Sequence, residues 1–78
     1  MQNRKDEQRS VQDYRDTVLR YEAVHSEINQ LMADNQGATL NMSDADLTRY
    51  RDLARERDEL FSQMRWLEQI LLDEDNLH

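Results

Sequence analysis

This sequence predicts an all-α fold: an antiparallel two-helix, coiled-coil-like hairpin that dimerises into a four-helix bundle. Three observations carry that expectation. The 78 residues contain no proline and one glycine, Gly37, and helix interiors are where both residues are most costly. Apolar residues recur at alternating steps of three and four in two separate segments, which is the spacing of a heptad stripe. A polar stretch that holds the single glycine separates the two segments. With 37% hydrophobic and 35% charged residues, the composition suits a helical rod better than a compact globule.

The chain reads as a single hairpin over 1–78. Residues 1–9 are expected to fray or, over 3–9, to extend the helix, and Ser10 to cap a first helix over 10–34, with Asp13 three residues on. The stripe of this helix is Val11, Tyr14, Val18, Tyr21, His25, Ile28 and Met32, widened by Val24 and Leu31. Residues 35–42 turn the chain. Ser43 is the expected N-cap of a second helix over 43–72, with Asp46 at N3 and with Met42 and Leu47 at the hydrophobic-staple positions. The second stripe is Tyr50, Leu53, Arg57, Leu60, Met64, Leu67 and Leu71, flanked by Leu47, Ala54 and Phe61. Residues 73–78 form an acidic tail. Heptad logic places Ile28 opposite Tyr50 and Tyr14 opposite Met64. On the surface, Asp16 and Arg20 make a favourable i,i+4 pair, and Asp52 and Glu56 an unfavourable one.

Composition narrows the function classes. Cysteine is absent, and His25 and His78 lie far apart in sequence, so no metal or other cofactor is expected. No apolar run approaches the roughly 18 residues of a membrane span. The opening residues lack the apolar stretch of a signal peptide, so a cytoplasmic chain with no membrane partner is expected. The net charge is −7. Glu22, Glu27, Asp34, Asp44 and Asp46 follow one another with no Lys or Arg between them, and Glu68, Asp73, Glu74 and Asp75 crowd the end. Direct binding to a nucleic-acid backbone is therefore disfavoured.

Three places are candidates for function. At the base, Phe61, Met64, Trp66, Leu67, Ile70 and Leu71 exceed what one partner helix covers, with Trp66 and Ile70 outside the seam. Tryptophan is a frequent interface anchor, so a protein-binding surface is expected there, for a second copy or for a partner helix. The alternative is that Trp66 folds back on the N-terminal segment. Self-association is favoured because so short a chain buries little core alone; Val24, Leu31, Leu47, Ala54 and Phe61 then complete a shared core. Within the seam, His25 and Arg57 are polar positions of the kind that set register and oligomeric state. Arg57 is expected to stack on Tyr21 or to snorkel to an acidic neighbour, and protonation of a seam histidine to loosen the bundle. At the tip, Asp34, Asp44 and Asp46 either bind a cation, reach into a basic cavity, or simply start a helix.

Short stretches are similar to known families. The acidic-tipped hairpin resembles the N-terminal arm of Gre-type transcript-cleavage factors, whose tip carboxylates enter the polymerase channel and hold a metal. Asp44 and Asp46 are the matching positions, and the globular domain that docks that arm has no counterpart in these residues. Ser43-Asp44, Leu47, Tyr50, Ala54 and Arg57 are similar to a stretch of the Hha-type nucleoid modulators, small helical proteins that bind a DNA-organising partner; this chain is more acidic and its second helix longer. Ile28-Asn29, Leu31 and Asp58-Glu59-Leu60 resemble the small hairpins that dephosphorylate sporulation response regulators. The Ser-Gln-Glu-Leu-Asp core of that family reads Ala54-Arg55-Glu56-Arg57-Asp58 here, different at three of five positions, so no activity is carried over. Helical hairpins share such spacing by default, and no family is assigned. The expected function is a non-enzymatic protein-interaction or regulatory module. The alternative is a transcription or nucleoid regulator that binds RNA polymerase or a DNA-bound protein through its acidic tip. An enzyme, through phosphatase-like use of Asp58, ranks third.

Overall fold

A computed structural model describes the backbone of residues 3–76 and the side chains of residues 9–73. Helix α1 spans Asn3–Asp34 and helix α2 spans Asp44–Asn76, with one 3-10 turn at Thr39–Asn41 between them. Among the described residues there is no strand, and no helix is long and apolar enough to cross a membrane. The two helices pack antiparallel into a rod of 55 × 17 × 16 Å. Its radius of gyration is 16.9 Å, against about 11–12 Å for a compact domain of this length. The rod exposes 6099 Å², where a compact monomer would expose about 5,000 Å².

Helix α1 begins ahead of the expected cap: Ser10 lies inside the helix. The preceding Arg4, Lys5, Glu7, Gln8 and Arg9 are good helix formers, and no breaker separates them from Ser10. Helix α2 likewise continues past Leu72 through the first acidic residues of the tail. Leu77 and His78 lie outside the described residues.

The end of α1 is a Schellman motif. The Gly37 N–H donates to the Met32 carbonyl at 2.7 Å, and the Gln36 N–H donates to that of Ala33 at 3.2 Å. Both Gln36 (φ 58°) and Gly37 (φ 78°) are left-handed, so the glycine relieves only one of the two. Gln36→Gly is expected to stabilise the hairpin by about 0.5–1 kcal/mol, because a side chain is costly in that conformation. Gly37→Ala is expected to destabilise it by about 1 kcal/mol for the same reason, although a Cβ there meets nothing within 4 Å. Urea unfolding midpoints measure both effects.

Asn35 ties the two helix ends together. It is buried, and its Nδ2 donates to the Leu31 carbonyl at 2.9 Å and to Asp46 Oδ2 at 3.3 Å. The Asn35 carbonyl accepts from Asn41 Nδ2 at 3.0 Å and from the Ala38 N–H at 3.2 Å. Ser43 caps α2 as expected: its Oγ accepts from the Asp46 N–H at 3.1 Å.

The seam is narrow. Among the described residues, only Val24, Ile28, Leu53 and Leu67 are buried apolar side chains. Leu31, Met32, Tyr50 and Leu60 pack around the first three. Helix α2 presents the expected stripe, with Tyr50, Leu53, Arg57, Leu60, Met64, Leu67 and Leu71 all buried or half-buried. Helix α1 does so in part: Tyr14, Val18, Tyr21, Ile28 and Met32 are buried or half-buried as expected, whereas Val11 and His25 are exposed. The deepest positions, Thr17, Val24 and Ile28, turn the helix towards the side that Val24 and Leu31 are expected to widen. Thr17 makes this possible: its Oγ1 donates to the Asp13 carbonyl at 2.7 Å, so it enters the seam with its hydroxyl already satisfied. Val24 and Leu31 are thus core and are not left over for a shared core.

The register stays close to the expected one. Ile28 shares its cluster with both Leu53 and Tyr50. On one flank Tyr14 reaches Glu68, four residues beyond Met64, and on the other Arg20 and Glu27 reach Glu56 and Arg49, two residues short of the expected alignment. The Asn35–Asp46 hydrogen bond ties the helices at the turn.

Candidate functional site

The hairpin has two unlike flanks. On one, ion pairs bridge the helices. Arg20 Nη2 lies 2.6 Å from Glu56 Oε2, and its Nε donates to the same oxygen at 2.8 Å. Glu27 pairs with Arg49 on the same side. The expected Asp16–Arg20 pair is not formed, because Arg20 turns across to Glu56 and Asp16 accepts from Gln12 Nε2 at 2.9 Å. The repulsion between Asp52 and Glu56 is offset, since Arg55 lies 3.2 Å from Asp52 and Arg20 neutralises Glu56. Exposed pairs of this kind contribute up to about 1 kcal/mol each. They close this flank, beside a shallow recess lined by Glu27, Gln30, Leu31, Asp34, Arg49 and Leu53.

The other flank is aromatic. Tyr14 Oη donates to Glu68 Oε2 at 2.8 Å. The Tyr21 ring lies 6.0 Å from His25, stacked at 16°, and 6.3 Å from Phe61. The Arg65 guanidinium sits 5.8 Å above the Phe61 ring. Helical spacing carries Val11 and Val18 of α1, and Leu47, Ala54 and Leu72 of α2, onto the same side. Phe61 is 47% exposed and Leu72 57%, so a band of apolar surface runs along this flank with nothing over it.

The hydrogen bond to Glu68, followed by burial and the nearby carboxylate charge, raises the Tyr14 phenol above its ordinary value of 10.0. The folded state therefore favours the neutral phenol. This stabilisation is fully present below pH about 10 and is lost as pH climbs through the unfolded value towards the raised folded one. The thermal midpoint is expected to fall more steeply above pH 10 in the parent than in Tyr14→Phe; parallel curves would remove the assignment.

The residues picked out at the base do not form one surface. Met64, Leu67 and Leu71 line the seam, and Leu67 is only 4% exposed. Phe61 belongs to the aromatic flank. Trp66, 64% exposed, lies about 140° further around α2 on the back of the helix, whereas Ile70 is half-buried on the side of Glu56. Arg57 occupies the seam stripe and takes the second expected course, its Nε approaching the acidic neighbour Asp58 at 3.5 Å, while the ring stacked on Tyr21 is that of His25. His25 lies outside the seam, on the aromatic flank against Tyr21.

At the tip, Asp34 accepts from Gln30 Nε2 at 2.9 Å and Asp46 accepts from Asn35, while Asp44 is exposed in the first turn of α2. Among the described residues no three His, Asp or Glu side chains converge as a cation site. The reading of residues alone missed Thr17 and Asn35 because polar side chains look out of place in a seam. It placed the Val11–Val18–His25 line in the seam, where the structure leaves Val18 half-buried and Val11 and His25 exposed on the flank. Comparison with protein-family models finds no match, and neither do searches of curated proteins and of solved structures.

Proposed function

We propose that this hairpin is a non-enzymatic protein-interaction module that works by pairing with a second copy of itself through the aromatic flank. One observation carries the reading: ion pairs close one flank, whereas the other leaves Val11, Phe61 and Leu72 exposed, with Val18 and Ala54 half-buried between them. A rod with so few buried apolar side chains gains most by covering that band. A face of 55 by 17 Å offers about 900 Å² per copy, close to the roughly 800 Å² per partner of a stable interface. Two hairpins joined this way form a four-helix bundle. The acidic tip draws no comparable support, because Asp34 and Asp46 are engaged by Gln30 and Asn35.

Light scattering across a dilution series tests the reading. The expected mass at micromolar concentration is twice that of the chain, and a monomer at every concentration would sink it. Trp66 reports which face is used. Its emission is expected to remain that of a wet indole in the dimer, and a blue shift on association would move the interface to the back of α2.

A further inference from the structure

The charges that border the aromatic flank are ordered in a way that selects one orientation of the second copy. On α1, Val18 has Arg15 three residues before it and Glu22 four residues after it. On α2, Phe61 has Asp58 three residues before it and Arg65 four residues after it. Residues at these separations are neighbours on a helix surface. Because the helices run antiparallel, Arg15 and Arg65 both fall on the open-end side of this band, and Glu22 and Asp58 both fall on the turn side. The Tyr21–Phe61 contact puts Val18 and Phe61 within about one turn of the same level.

All four charged side chains are available. Asp58 is 76% exposed, with only the 3.5 Å approach of Arg57. Among the described residues Arg15 and Glu22 have no ion-pair partner, and Arg65 rests on Phe61.

We infer, on the self-pairing reading above, that the two copies dock head to tail about a two-fold axis through the Val18–Phe61 band. Each helix then lies against its own symmetry mate, with the turn of one copy beside the open end of the other. Arg15 meets Glu22 of the second copy and Arg65 meets Asp58, each twice by symmetry, so ion pairs border the apolar band on both sides. A parallel arrangement does the opposite, setting Arg15 against Arg65 and Glu22 against Asp58. The axis falls near the middle of the 55 Å rod, so head-to-tail overlap runs along nearly all of it.

Charge reversal and one distance test this. Arg15→Glu is expected to raise the dimer Kd on the order of tenfold, and adding Glu22→Arg to the same chain is expected to restore it. The chain has no cysteine, so Leu40→Cys, at a turn position that is 96% exposed, accepts a single spin label. Head-to-tail docking puts the two labels about 50–60 Å apart, whereas parallel docking brings them within about 25 Å. A short distance, a tightening by Arg15→Glu, or indifference to both substitutions overturns the orientation and leaves self-pairing intact. A parent chain that stays monomeric at all concentrations overturns self-pairing and the orientation with it.

Discussion

Replacing Leu53 with alanine is expected to cost about 2–5 kcal/mol, enough to unfold most of the hairpin. Leu53 is 2% exposed and shares one small cluster with Val24 and Ile28. Removing its isobutyl group loses the transfer energy and leaves a gap that two rods pinned at the turn cannot close without sliding. There is no second layer of core to take over, since the remaining buried apolar residue, Leu67, lies four turns away along α2. Trp66→Ala removes a larger side chain but is expected to cost less than about 0.5 kcal/mol, because that indole is already mostly in water. Helical ellipticity against temperature, at equal chain concentration, compares the two. A Leu53→Ala protein that melts like the parent, or a Trp66→Ala protein that melts much earlier, would mean that stability does not reside in the seam.

Phe61→Glu is expected to weaken self-association at least ~100-fold while leaving the hairpin folded. In the single hairpin this ring is 47% exposed, and its loss forfeits chiefly the tilted contact with Tyr21, worth about 0.5–1.5 kcal/mol. In the proposed dimer the ring sits next to its own symmetry mate. The substitution then removes two apolar anchors from the centre and places two carboxylates where water is excluded. Sedimentation velocity reads the mass and circular dichroism checks the fold. Phe61→Leu, which keeps the site apolar, is expected to retain the dimer. A Phe61→Glu chain that still sediments as a dimer would show that the interface lies on another face.

The elements differed in how far they could be read in advance. Helix α2 was legible except for its end: Ser43 followed by Asp46 marks its cap, and the line from Tyr50 to Leu71, interrupted by Arg57, is the stripe it presents to the seam. Helix α1 was half legible. Tyr14, Tyr21 and Ile28 belong to the seam on either reading. They are shared by two overlapping lines, Val11–Val18–His25–Met32 and Ser10–Thr17–Val24–Leu31. The first looks more apolar at its start, and the structure buries the second more deeply while Val18 and Met32 stay half-buried. The same turn leaves Val11 exposed and Val18 half-covered on the flank and moves the candidate interface away from Trp66.

By itself, then, the sequence determined that there are two long helices, where they reverse, how α2 starts and which side of α2 is covered. These follow from local propensity, capping and a single unambiguous period. Only the tertiary structure decided how far α1 turns towards α2, and therefore which apolar residues are left for a partner. Thr17 and Asn35 are admitted to the seam by hydrogen bonds to Asp13, Leu31 and Asp46, and those bonds exist only once the turn and the neighbouring helix are in place. Two nearly equal apolar faces on one helix differ in energy by less than the packing and polar satisfaction that a partner supplies, so the choice belongs to the pair and not to the helix.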